Sequence, residues 1–169
     1  VGTSSAWTCP SSSESTVAEP YLTVVATARN DDHGGNPLYR TQLFINGLMA
    51  QSERFHLPTE LVLVEWNPPA DRLRLADVLT WPESQWCDVR IIEVPHELHA
   101  TLEHSDRLPL FQMIGKNVGI RRARGEFVVA TNIDILLSNE LMEVLAAQRL
   151  AHDRVYRADR IDVPAEIDP

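Results

Sequence analysis

Asn132-Ile133-Asp134 stands where a short apolar run, Phe127-Val128-Val129-Ala130, gives out. Two oxygen-bearing side chains two positions apart, just past a strand end, can turn toward one hard cation. Mg²⁺ or Mn²⁺ takes such oxygens and often completes its shell with substrate phosphates. The same pair can instead do no more than shape the turn into the next helix, a common use of Asn and Asp. Glu65 closes a second apolar run, Leu61-Val62-Leu63-Val64. A carboxylate there can accept hydrogen bonds from a ribose or base, as an acid does in dinucleotide folds, or can be a solvated strand terminus. Arg29, Asn30 and Asp31 follow a third run, Tyr21 to Ala28, and carry the same two readings.

These clusters matter only if the chain brings them together, and its patterning predicts that it does. Tyr21–Ala28 is rich in β-branched residues and reads as a buried strand, followed by a polar loop, Arg29 to Asn36. Asn36-Pro37 opens a helix to about Arg54, with Asn as cap and Pro in the first turn. Glu60–Glu65 is a second strand, Arg72–Leu79 a short helix, and Val89–Val94 a third strand stopped by Pro95. Residues 96–107 read as an irregular loop. Leu110–Arg124 is a helix with a basic last turn, Arg121, Arg122 and Arg124, stopped at Gly125. Glu126–Thr131 is a strand covered on both faces, Ser138 caps another helix, and Arg154–Val163 forms a last strand. Strand and helix in alternation predict an α/β fold, a mostly parallel sheet wrapped by helices. Right-handed crossovers then gather Arg29–Asp32, Glu65–Asn67 and Asn132–Asp134 on one rim.

At 169 residues the chain suits one domain with a substantial core. Residues 1–20, rich in Ser and Thr, read as a flexible tail, leaving 21–169 as the domain. A net charge of −9 argues against general nucleic-acid binding, which needs a basic face. It leaves room for one phosphorylated ligand held by a local cationic cluster. No apolar stretch reaches the roughly 20 residues of a membrane span. Cys9 and Cys87 lie far apart, one in the tail, so two free thiols are expected, which favours the cytoplasmic side.

Other residues carry less. His96, His99 and His104 have no nearby Cys and match no closed zinc spacing. Trp66, Trp81 and Trp86 could stack on a sugar or base, but packing is the commoner role. No P-loop, GxGxxG, GxSxG or HExxH string occurs, which removes several enzyme classes.

Lys116-Asn117-Val118-Gly119-Ile120, followed by Ala123-Arg124-Gly125-Glu126-Phe127-Val128, resembles the N-x-G-I-x-x-A-x-G-E-[FY]-[VI] run of glycosyltransferase family 2 and its GT-A relatives. There the run leads to a DXD triplet at a strand end, as here it leads to Asn132-Ile133-Asp134. The resemblance spans residues 21–163. It implies a Rossmann-like GT-A fold, a three-layer α/β/α nucleotide-diphospho-sugar transferase domain. It also implies transfer of a sugar from a nucleotide-diphosphate-sugar donor to a carbohydrate or other hydroxyl acceptor. By that likeness Ala28, Arg29 and Asn30 line the nucleotide pocket, Glu65 meets base or ribose, and Asn117 faces the pocket from its helix. Asp134 with Asn132 would hold Mn²⁺ or Mg²⁺ on the donor diphosphate.

Two departures stand out. Asn132 replaces the usual first acid of DXD, removing one negative charge at the metal. No convincing general base follows the triplet; Asp159 and Asp162 are the candidates, and both can simply flank a strand. A sugar-phosphate nucleotidyltransferase is a competing reading, but its glycine-rich loop should carry a basic residue, and Asp31-Asp32-His33-Gly34-Gly35-Asn36 has none. A catalytically silent nucleotide-sugar-binding or scaffold module is another.

Overall fold

Leu22–Ala28, seven residues buried without exception, is an interior strand (β2) of a five-stranded sheet. In this computed structural model, which describes residues 6–8, 19–31 and 35–162, the other strands are β1 (Ala6–Thr8), β3 (Thr59–Trp66), β4 (Cys87–Val94) and β5 (Phe127–Ala130). Their order is β1-β4-β3-β2-β5. The last four are mutually parallel, and β1 runs antiparallel on the outer edge of β4. Counting only the parallel strands in chain order gives 3-2-1-4, a Rossmann-like α/β arrangement.

The β2 and β3 runs lack alternation because both of their faces are covered. On one face Leu22, Val24, Ala26 and Ala28 of β2 and Leu61 and Leu63 of β3 pack against Phe44, Ile45, Leu48 and Met49 of α1 (Pro37–Phe55). Met142 and Leu145 of α5 (Asn139–Ala146) complete that core. On the other face Val25, Val62, Val64, Trp66, Ile92 and Val94 lie under Leu110, Phe111 and Val118, the last in α4 (Gln112–Ile120). Each such aliphatic side chain contributes on the order of 1.5–3 kcal/mol by leaving water. Helix α4 rests on glycines. A Cβ at Gly115 would lie 2.6 Å from Thr27 Cγ2, and one at Gly119 2.4 Å from Val25 Cγ1, so only glycine allows this approach to β2.

A buried carboxylate ties the turn after α4 to the beginnings of the strands. Glu60 accepts from Arg90 Nε at 2.7 Å, from Thr23 Oγ1 at 2.7 Å and from the Arg124 backbone N–H at 2.9 Å. Gly125 N–H donates to Thr23 Oγ1 at 2.8 Å.

Several expectations need correcting. Helix α4 ends at Ile120, so Arg121, Arg122 and Arg124 are not its last turn, and Gly125 is not its stop. Gly125 is glycine because a Cβ would lie 2.5 Å from the Thr23 backbone nitrogen. Among the described residues β5 is an edge strand paired only with β2, and Val128 is exposed rather than covered. Residues 154–162 form no strand; Val163 lies outside the described residues. Within 96–107, one turn of helix, α3 (His96–His99), interrupts the irregular path. The short helix expected at 72–79 is a single turn, α2 (Leu75–Val78). Asn36 precedes α1 in a left-handed conformation, φ 46°, and its side chain caps nothing. Ser138 does cap α5, its Oγ accepting from Leu141 N–H at 3.3 Å. Ala6–Thr8, inside the stretch expected to be a tail, form β1. Among the described residues no helix is long and apolar enough to cross a membrane.

Candidate functional site

Strand order reverses at β2: the chain leaves it through α1 for β3 on one side, and returns through α4 to β5 on the other. In open α/β sheets the crevice at such a switch point, beyond the carboxyl ends of the strands, is where ligands bind. Here Val25 pairs with Ala130, and Thr131 N–H donates to Val25 O at 2.9 Å. The residues after β2 and those after β5 therefore emerge side by side.

On the β5 side, Asn132 is half-buried and Asp134 exposed. Asn132 Oδ1 accepts from Lys116 Nζ at 2.7 Å and from Gln112 Nε2 at 3.1 Å, both from one face of α4. Asp134 Oδ2 meets Arg40 Nη1 of α1 at 3.3 Å. Burial lowers the pKa of the Lys116 ammonium from its ordinary value, while the charge of Asp134 opposes that shift.

On the β2 side, Arg29 donates from Nε to Asn67 O at 2.7 Å and pairs with Asp31 at 2.6 Å. Asn30, almost fully buried, donates from Nδ2 to Leu73 O at 2.8 Å. Asn67, at φ 46°, donates to Pro109 O at 3.1 Å and accepts from His96 Nδ1 at 3.0 Å, which pins the loops of the rim together. Asn30, Asp31, Asn36, Pro37, Leu38 and Arg72 line a depression of about 360 Å³ beside this network. A larger one, about 690 Å³, lies between α1 and residues 82–85; none of the rim residues named here lines it.

Glu65, 1% exposed, accepts from Leu75 N–H at 3.0 Å. Burial pushes its carboxyl up from 4.5 to about 7, the Leu75 hydrogen bond counteracts, and the nearby Glu93 charge adds to the rise. It is thus a buried carboxyl in register with Ala28, not a solvated strand terminus.

Ala28, Arg29, Asn30, Glu65, Asn132 and Asp134 all belong to the carboxyl edge of the sheet. Asn117 does not join them by any contact among the described residues; it is exposed on α4, and its neighbour Lys116 makes the contact instead. Asp159 and Asp162 are exposed in an irregular segment, paired with Arg157 at 3.3 Å and Arg160 at 2.9 Å. Asp32 lies outside the described residues. The histidines take separate roles: His99 is buried and accepts from Trp66 Nε1 at 2.9 Å, while His104 is exposed. Lys116, Gln112 and Arg40 were not among the expected site residues. Lys116 stood inside the Lys116–Ile120 motif, one place before the residue singled out. Arg40 reaches Asp134 from 94 positions away, a pairing no local pattern announces.

The donor set does not fit a resident Mn²⁺ or Mg²⁺ well. One carboxylate and one amide are available, and Asn132 Oδ1 and Asp134 Oδ2 each already face a cation that would compete with an incoming metal. No protein-family model matches the chain, and neither a curated protein nor a solved structure matches it.

Proposed function

We propose that the chain binds a nucleotide-diphosphate sugar at its carboxyl-edge rim, as the donor-binding part of a GT-A-type glycosyltransferase of the family 2 kind. The observation that carries this reading is the switch point. The residues after β2 and β5, which the motif resemblance links to nucleotide and diphosphate, emerge next to each other there. The 3-2-1-4 order of the parallel strands and the depression beside Asn30 and Asp31 support it. The nucleoside would occupy that side, with Arg29 and Asn30 already held in place by Asn67 and Leu73. The diphosphate would occupy the Lys116–Asn132–Asp134–Arg40 side, and the sugar would go to an acceptor hydroxyl.

A second reading, a catalytically silent nucleotide-sugar-binding module, is favoured by the environment of Asp159 and Asp162. Both are exposed and paired with arginines two residues before them, with no link to the rim among the described residues. Calorimetric titration with UDP and GDP, with and without Mn²⁺, tests both readings together. Binding of one nucleotide is expected, and weaker binding by Asn30→Ala. If neither nucleotide binds, both readings fall. Donor hydrolysis or transfer abolished in Asp134→Ala separates the enzyme from the silent module.

A further inference from the structure

We infer that the strand-end cluster is a diphosphate cradle in which Lys116 and Arg40, rather than a divalent metal, supply the positive charge. The identity of the ligand rests on the nucleotide-sugar reading above, whereas the charge arrangement rests on the geometry alone.

Lys116 is the centre of the cluster. Its ammonium is half-buried, and its hydrogen-bond acceptor is a neutral amide oxygen, Asn132 Oδ1, at 2.7 Å. Among the described residues it makes no ion pair. A partly desolvated ammonium whose hydrogen-bond acceptor is an amide rather than a carboxylate gains from an anion, because a bond with both partners charged is stronger than one to a neutral acceptor. Gln112, one turn earlier on α4, aims a second donor at the same oxygen, so a phosphate oxygen placed there can take both.

Arg40 approaches from α1, on the opposite face of the sheet. Its pairing with Asp134 at 3.3 Å leaves both side chains more than a third exposed. An exposed pair of this kind is worth roughly 0–1 kcal/mol, little enough for a phosphate to compete with. Two cations delivered from two helices, with the Asn132–Asp134 turn between them, suit two linked phosphates better than one. The identity of residue 132 sets the sign of the site. An acid at that position would neutralise Lys116 and invite a metal ion; the amide does neither. The overall charge of −9 makes such a local cationic pair the more necessary for an anionic ligand.

The test is calorimetry of the whole chain with inorganic pyrophosphate, UDP and GDP, first in EDTA at low salt and then with Mn²⁺. Pyrophosphate is expected to bind without metal. Lys116→Gln should weaken it about tenfold or more, a loss of about 1.4 kcal/mol, and Arg40→Gln should weaken it similarly. Arg157→Gln, an exposed control away from the cluster, should leave it unchanged. Asn132→Asp should weaken metal-free binding and make the remainder depend on Mn²⁺. Circular dichroism melts confirm that the variants fold, and Lys116→Arg, which keeps the charge, should retain binding if Lys116→Gln does not fold. Metal-free binding that ignores Lys116, binding that requires Mn²⁺ in the unaltered chain, or no pyrophosphate binding would overturn the inference. The two readings fail separately. Lys116-dependent pyrophosphate binding with no gain from either nucleoside defeats only the nucleotide reading. Binding of UDP or GDP that needs Mn²⁺ and ignores Lys116 defeats only the cradle.

Discussion

Glu65 is the residue whose surroundings depart furthest from what its type implies. A carboxyl whose folded pKa is raised to about 7 binds its proton more tightly in the folded than in the unfolded state. Its stabilisation is complete below its ordinary 4.5 and is lost as pH rises through about 7. Above that, the buried charge costs on the order of 3 kcal/mol. Glu65→Gln keeps an oxygen for Leu75 N–H and cannot ionise. Its urea midpoint should match or trail the unaltered chain at pH 5 and exceed it at pH 8. Equal pH slopes for the two proteins would refute this assignment. Cys87 shows the same force acting on a thiol. Burial pushes its thiol up to about 12, so in the folded state it should be inert to thiol reagents.

At the scale of elements, the glycines divide into those that hold α4 and its turn against the sheet and those that do not. A Cβ at Gly125 meets the Thr23 nitrogen at 2.5 Å and the Leu22 carbonyl carbon at 2.8 Å, backbone atoms of the buried strand β2 that cannot step aside. Gly125→Ala should therefore cost about 1–3 kcal/mol or more. In a chain of this length each kcal/mol lowers Tm by ~2–4 °C. Gly47 sits in α1, and its added Cβ would meet only Leu136 Cδ2 at 3.1 Å, a side-chain end that can turn away. Gly47→Ala should be neutral or stabilising, since alanine gains up to about 1 kcal/mol of helix propensity. Thermal melts of the two variants separate close approach from simple glycine flexibility.

The same elements show what was legible in the sequence. β2, β3 and α1 could be read because long apolar runs and a helical stripe are local signals, and Pro37 marked the start of α1 within a residue. The edge position of β5 could not, because a four-residue apolar run reads alike whether or not a further strand lies beside it. The early end of α4 was hidden because Arg122 and Arg124 look like a basic last turn. They serve instead at the foot of the sheet: the Arg122 carbonyl accepts from Arg90, and Arg124 N–H donates to Glu60. At the rim, residue types and strand ends located Arg29, Asn30, Glu65, Asn132 and Asp134. Lys116 and Arg40 were missed because their role depends on contacts between distant segments.

For the whole molecule, strand order separates the sheet into pairings with very different loop lengths. β2, β3 and β4 follow one another in sequence and pair with one another in space. β5 returns to β2 only after a long excursion; the neighbouring Thr23–Gly125 contact already spans 102 positions. Closing such a loop is slow and entropically costly, and β5 has ladder partners on one side alone. The edge strand and its turn should thus open before the rest of the sheet. In native-state hydrogen exchange, the Phe127 and Thr131 amides, which donate to Tyr21 O and Val25 O, should show a lower opening free energy than the amides of β2 and β3. Because Asn132 and Asp134 hang from this late-closing strand, a ligand that holds them also latches it. The β5 amides should gain protection with added nucleotide or pyrophosphate while those of β3 barely change, making the edge of the sheet a built-in reporter of whether the rim is filled.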